Sequence, residues 1–335
     1  MRQIVALVVA GVVGVALLAG CQFGVSSSPS PAPAKLTVGL GFMPHIQFAQ
    51  FYRALQQGYY RDGGLDVSLQ YGNDAQLVPQ IGQGAVDIGL SDGTSVIPAV
   101  SSGIPVRYGA TIYARFPSVV IARAESGIAT AADLRGKRVG IPGRYGSSWI
   151  MLQALLASAG MSPIDVDIRL YPDFSQAVAL REGQVDAATG FANNEPVQLA
   201  LAGIKTNVMA VDDITPLPGP GLTVGEATAA SRREAIRAFV DETLRAMREI
   251  IDNPELGVED AAKEVPALAT DRPTQLAILQ ATVAMWQSPY TDTHGIGAID
   301  HDAWTRSIDF MQTLPDLDIK ADLSADQLLT EDLLQ

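Results

Sequence analysis

The chain has 335 residues, 47% of them apolar, with 23 basic against 36 acidic side chains and a net charge of −13. Such an acidic balance disfavours nucleic acid as a partner, and the length allows a large core divided between two domains. Three histidines, His45, His294 and His301, are too scattered for a zinc-ligand pattern, so no metal site is expected.

Residues 1–20 read as a secretory signal peptide: a basic start at Arg2, an apolar run from Ile4 to Leu18, then the small residues Ala19 and Gly20. The run is short for a membrane span. The signal is followed directly by Cys21, the only cysteine of the chain. A lone cysteine cannot close an internal disulfide, and at this place its expected role is to carry lipid. The protein is therefore expected on the extracytoplasmic face of the cell membrane, held there by lipid on Cys21. Residues 21–34, rich in serine and proline, read as a leash without a core of its own.

From Lys35 onward a pattern repeats at a spacing of about one hundred residues. Thr37-Val38-Gly39-Leu40 and Arg138-Val139-Gly140-Ile141 each read as a short buried strand closed by a loop. Helical stretches follow at Gln47–Gly58 and Ser148–Gly160. Then come alternating strands at Leu65–Tyr71 and Val166–Tyr171, a further helix in each copy, and the pair Gly84–Gly89 and Gly183–Ala188. Strands alternating with helices in this way predict two α/β lobes built on parallel sheets.

Ligands of open α/β sheets sit beyond the carboxyl ends of the strands. The loops at those ends therefore supply the candidate site: Phe42, Met43 and Gln47; Ser91 and Asp92; Tyr113 and Phe116; Tyr145, Ser147, Ser148 and Trp149; Phe191, Asn193, Asn194 and Glu195. Aromatic faces there can stack on a flat ligand. The amides of Asn193 and Asn194 offer a donor and an acceptor each, and Glu195, Asp92 and Gln47 can bind ring N–H groups or hydroxyls.

The loop Gly41-Phe42-Met43-Pro44 with Gln47-Phe48-Ala49 and Phe51-Tyr52, the stretches Gly64-Leu65-Asp66-Val67 and Gly84-Ala85-Val86-Asp87, the run Asp133–Gly140, and Asn193-Asn194-Glu195-Pro196 resemble the NMT1/THI5-like solute-binding proteins of ABC importers. The first loop and the Asn-Asn-Glu-Pro run are most similar to the riboflavin-binding lipoproteins among them. The resemblance implies the type II periplasmic-binding-protein fold, an α/β architecture of two lobes with a ligand cleft between them. Lobe I would comprise 35–120 plus 219–335 and lobe II 121–218. It also implies a monomeric binding protein, not an enzyme, that hands riboflavin to an ABC transporter permease, with riboflavin as cargo and no cofactor.

Two other ligands and one other chemistry fit parts of the chain. A thiamine-precursor aminopyrimidine suits the same aromatic and amide loops. A sulfonate would use the helix start at Gly146-Ser147-Ser148 with Arg115 or Arg144. Gly89-Leu90-Ser91-Asp92-Gly93 matches the G-x-S-x-G nucleophile elbow, so a secreted hydrolase would use Ser91 with His294 or His301.

Overall fold

A computed structural model describes residues 32–72, 74–212 and 214–334. The signal-peptide and lipidation readings, Cys21 included, lie outside the described residues. Among those residues no helix is long and apolar enough to cross a membrane, and Pro33–Gln335 forms one compact unit.

Ten strands form two five-stranded sheets. In chain order they are β1 (Ala34–Leu40), β2 (Leu65–Tyr71), β3 (Ile88–Asp92), β4 (Val106–Thr111), β5 (Ser118–Arg123), β6 (Arg138–Ile141), β7 (Asp167–Leu170), β8 (Ala187–Phe191), β9 (Thr206–Met209) and β10 (Pro220–Gly225). The first sheet has the order β2-β1-β3-β10-β4 and the second β7-β6-β8-β5-β9. In each, the second strand of that order pairs in parallel with both neighbours, β1 with β2 and β3, and β6 with β7 and β8. One strand in each sheet runs against the rest: β10 against β3 and β4, and β5 against β8 and β9. The chain passes from the first sheet to the second after Thr111, and returns between Met209 and Pro220. The hundred-residue repeat is thus a repeat of sheet topology, with β1, β2 and β3 matched by β6, β7 and β8.

The stretches Gly84–Gly89 and Gly183–Ala188 each run from a turn into the third strand of their copy. Gly84 and Gly183 lie in the left-handed region and close the preceding helices, so each stretch opens as a turn and the strand follows. Interior strands are buried along their length because helices cover both faces of the sheet; all five residues of β3 and all six of β10 are buried.

The helix Arg233–Asp252 shows how the tail completes the first lobe. Its charged sequence carries a stripe of Ile236, Phe239, Val240, Leu244, Met247 and Ile250, all buried. Phe239 stacks on Tyr60 with centroids 4.9 Å apart, and the Tyr60 hydroxyl meets Thr243 Oγ1 at 2.8 Å. A buried ion pair, Arg53 to Asp260 at 2.8 Å, fixes the helix Pro254–Glu264 to the same lobe.

Candidate functional site

A cleft of about 290 Å³ opens where the strand ends of the two sheets face each other. The first lobe contributes Gly41, Phe42 and Gln47 from the loop and turn after β1, and Asp92 from the end of β3. The second contributes Tyr145, Ser147 and Ser148 after β6, Phe174, Gln176 and Val178 after β7, and Phe191, Asn194, Glu195 and Gln198 at and after β8. The volume is near the lower end of small-molecule sites, roughly 300–1,000 Å³.

Local sequence explains the placement. Gly146 has φ +66°, a conformation that favours glycine. It turns the chain so that the helix Gly146–Ser158 begins at the cleft with Ser147 and Ser148 in its first turn. On β8, a Cβ on Gly190 would sit 2.8 Å from Glu195 Oε2, so glycine is what lets the Glu195 carboxyl fold back over the strand end. There Glu195 Oε2 accepts from the Phe191 backbone N–H at 2.7 Å and Oε1 accepts from Asn194 Nδ2 at 3.1 Å. Gln198 Nε2 donates to Asn194 Oδ1 at 2.7 Å and completes a fixed polar rail along this wall.

Two acids line the cleft. Burial lifts the Asp92 carboxyl from 3.8 to about 6, opposed by a hydrogen bond from Ser147 across the cleft. Burial also raises Glu195, opposed by the backbone N–H groups it accepts from and by Asn194. Among the described residues, no lysine, arginine or histidine lines the cleft. His45, behind Phe42, is held neutral, its pKa lowered by burial to about 4.

The candidate residues divide. Phe42, Gln47, Asp92, Tyr145, Ser147, Ser148, Phe191, Asn194 and Glu195 line the cleft. Six others do not. Met43 points outward and is exposed. Ser91 is fully buried inside β3, its Oγ without a hydrogen-bond partner. Tyr113 and Phe116 are buried at the first crossing between the sheets, beside a separate hollow. The Tyr113 hydroxyl turns towards Asn193, Thr282 and Trp286. Asn193 is fully buried and donates from Nδ2 to Thr282 Oγ1 at 2.8 Å, so it faces the C-terminal helix Arg272–Trp286 instead of the cleft. Trp149 is a core residue, buried among the helices that join the lobes, with the Arg144 guanidinium 5.3 Å from its ring centroid.

Ser91 cannot serve as an elbow nucleophile, which must stand exposed on the turn after its strand. The histidines proposed to partner it are engaged elsewhere: His294 Nδ1 with the Tyr290 carbonyl oxygen at 3.0 Å, and His301 Nε2 with Glu331 Oε1 at 3.1 Å. The hydrolase reading is therefore corrected. The cations considered for an anionic ligand lie beside other hollows. Arg115 borders the hollow at the first crossing, and Arg144 borders a larger neighbouring hollow of about 560 Å³ that shares only Tyr145 and Gly146 with the cleft.

The loop after β7 adds lining residues that the sequence reading passed over. Phe174 lies in the left-handed region at φ +60°, the only such non-glycine among the described residues. Its ring meets Phe42 across the cleft. Extending the strand-end rule to Val166–Tyr171, as to its neighbours, leads to Phe174 and Gln176.

Comparison with known proteins agrees with this architecture. The family model described as NMT1/THI5 like matches residues 45–256. The chain belongs to the NMT1/THI5-like family. It is 33% identical over 318 residues to the riboflavin-binding protein RibY of Chloroflexus aurantiacus, covering 90% of each chain. It is 25% identical to a 4-amino-5-hydroxymethyl-2-methylpyrimidine phosphate synthase of Legionella pneumophila, over 72% of this chain and 77% of that one. Among solved structures, the alkanesulfonate-binding protein SsuA of Xanthomonas axonopodis pv. citri, bound to MOPS, superposes with a TM-score of 0.70. Its identity is 19%, with 89% of this chain and 99% of that one covered. This family member therefore has the periplasmic-binding-protein fold.

Proposed function

We propose that this chain is the solute-binding protein of an ABC importer, anchored by lipid on Cys21 outside the cytoplasmic membrane, and that it captures riboflavin and delivers it to a permease. Binding, not turnover, is its task. The observation that carries the ligand class is the lining of the cleft: four aromatic rings, two carboxyl groups, several amides and hydroxyls, and no basic side chain among the described residues. A sulfonate would meet two acids and no cation. A neutral flat ring bearing N–H and hydroxyl donors meets aromatic faces and acceptors. The likeness to RibY over nine-tenths of both chains supports riboflavin within that class. Capture would follow from the lobes closing about the two crossings between the sheets, a hinge motion.

A second reading rests on the same carboxyl groups. An aminopyrimidine, which can take up a proton, would also suit Asp92 and Glu195, and several relatives are aminopyrimidine phosphate synthases. Titration of the purified protein with riboflavin, followed by quenching of flavin fluorescence, separates the two. Saturable one-to-one quenching supports riboflavin; a folded protein that binds aminopyrimidine and leaves flavin fluorescence unchanged overturns it.

A further inference from the structure

One cleft residue has a polar atom left over. Gln176 opens the short helix Gln176–Arg181, is only 3% exposed, and lines the cleft from the β7 side. Its Nε2 donates to the Thr189 carbonyl oxygen of β8 at 3.1 Å. Its Cβ packs under β6, where a Cβ on Gly140 would stand 3.1 Å away. These contacts fix the amide. Its Oε1 is buried with no hydrogen-bond partner. Buried polar atoms are ordinarily paired, so an unpaired acceptor at a ligand cleft calls for an explanation. The strained backbone at Phe174, two residues earlier, helps bring this segment to the cleft, and such strain recurs at functional sites.

We infer that Gln176 is a specificity-determining residue of the cleft, its Oε1 accepting a hydrogen bond from the imide N–H of the ligand's uracil-like edge. This inference rests on the riboflavin reading. An imide presents carbonyl, N–H and carbonyl in a row. Gln176 supplies the central acceptor, and the second hydrogen on Nε2, beyond the one given to Thr189, remains to donate to a flanking carbonyl. Asp92 and Glu195 are poor partners for those carbonyls when ionised, since a carboxylate only accepts. The other amides on this wall, Asn194 and Gln198, are already engaged with Glu195 and with each other, so Gln176 is the one whose buried acceptor is left unpaired. A ligand methylated at the imide nitrogen loses the donor and gains bulk at the same point.

The test compares riboflavin with its N3-methyl derivative on the wild type and on Gln176→Ala. The wild type is expected to bind riboflavin at least about tenfold more tightly than the methylated ligand, as for one lost buried hydrogen bond. Gln176→Ala should bind riboflavin about tenfold more weakly and discriminate less than about threefold, because the acceptor is gone and space is left for the methyl group. If the wild type binds both flavins equally, or if folded Gln176→Ala discriminates as the wild type does, the inference fails while the riboflavin reading stands. If the folded wild type binds neither flavin, the reading itself fails. The wild-type comparison needs no variant, and Gln176→Leu, closer in volume, repeats the loss of riboflavin affinity should the alanine variant not fold.

Discussion

The rings of Phe42 and Phe174 meet edge to face, centroids 5.6 Å apart with planes at 85°, and join the loop after β1 to the loop after β7 across the cleft. Phe174 is nearly half exposed and holds a left-handed backbone that costs a non-glycine residue roughly 1–2 kcal/mol. A residue that is strained and poorly buried is placed for something other than stability. Phe174→Gly is therefore expected to melt no lower than the wild type while losing about tenfold in ligand affinity, the worth of one aromatic contact. Melting and titration on the same preparation check this. A less stable variant with unchanged affinity would make the ring a structural one.

Trp149 should behave in the opposite way. It is buried in the core that joins the lobes, so Trp149→Ala removes packing and is expected to cost about 3–5 kcal/mol of stability. Affinity in the folded fraction should be near that of the wild type, since the ring does not line the cleft. Chemical denaturation with a parallel ligand titration reads both quantities. Loss of affinity in a protein of normal stability would return Trp149 to the site.

Asp92 gives the empty protein a pH dependence of predictable sign. Its folded-state pKa, about 6, lies above the ordinary 3.8, so between these values the folded state binds more protons than the unfolded one. Stability then falls as pH rises through this window, by at most about 3 kcal/mol for this group. Glu195 is raised by burial and acts in the same direction. Asp92→Asn keeps a partner for Ser147 and cannot ionise. It should be more stable than the wild type at pH 7, and the advantage should shrink towards pH 4. Denaturation curves of both proteins across that range are the measurement; a difference independent of pH would mean that Asp92 is not desolvated.

Much of the architecture was legible because each α/β unit writes its own signature. β2 runs over the alternating stretch Leu65–Tyr71, and β6 coincides with Arg138–Ile141. The strand-end rule led to Asp92, Tyr145 and Glu195, since a polar or aromatic residue just past a buried strand has little else to pack against. It did not determine direction. The helix Gly146–Ser158 is apolar on nearly every face, so nothing in its pattern shows that Ser147 and Ser148 turn to the cleft while Trp149 turns to the core. Asn193 and Asn194 are adjacent and alike, yet one is pulled to Thr282, 89 residues away, and the other to the cleft. Such choices are made by packing partners distant in sequence.

The anchor is tested independently of the fold. Cys21→Ser removes the thiol that would carry lipid and leaves residues 33–335 untouched. The variant should appear in the soluble fraction with normal melting and normal ligand affinity. Membrane association equal to that of the wild type would show that some other feature holds the protein there.

Charge discriminates most sharply between ligand classes. A sulfonate entering this cleft would approach Asp92 and Glu195 with no cation on the lining to offset them, and burial strengthens that repulsion. Arg144 sits over Trp149 in the neighbouring hollow, and His45 stays neutral down to about pH 4. Millimolar alkanesulfonate is therefore expected to leave both the melting temperature and the riboflavin titration unchanged. Riboflavin carries no net charge, so its affinity should also hold as salt rises. The Debye length shrinks from about 30 Å at 0.01 M to about 8 Å at 0.15 M, and a ligand bound through an ion pair would weaken over that interval. Isothermal titration at the two ionic strengths supplies the comparison. A steep salt dependence, or competition by the sulfonate, would mean that a cation reaches the ligand after all. Arg144, the basic residue that borders the neighbouring hollow, would then be the first to replace.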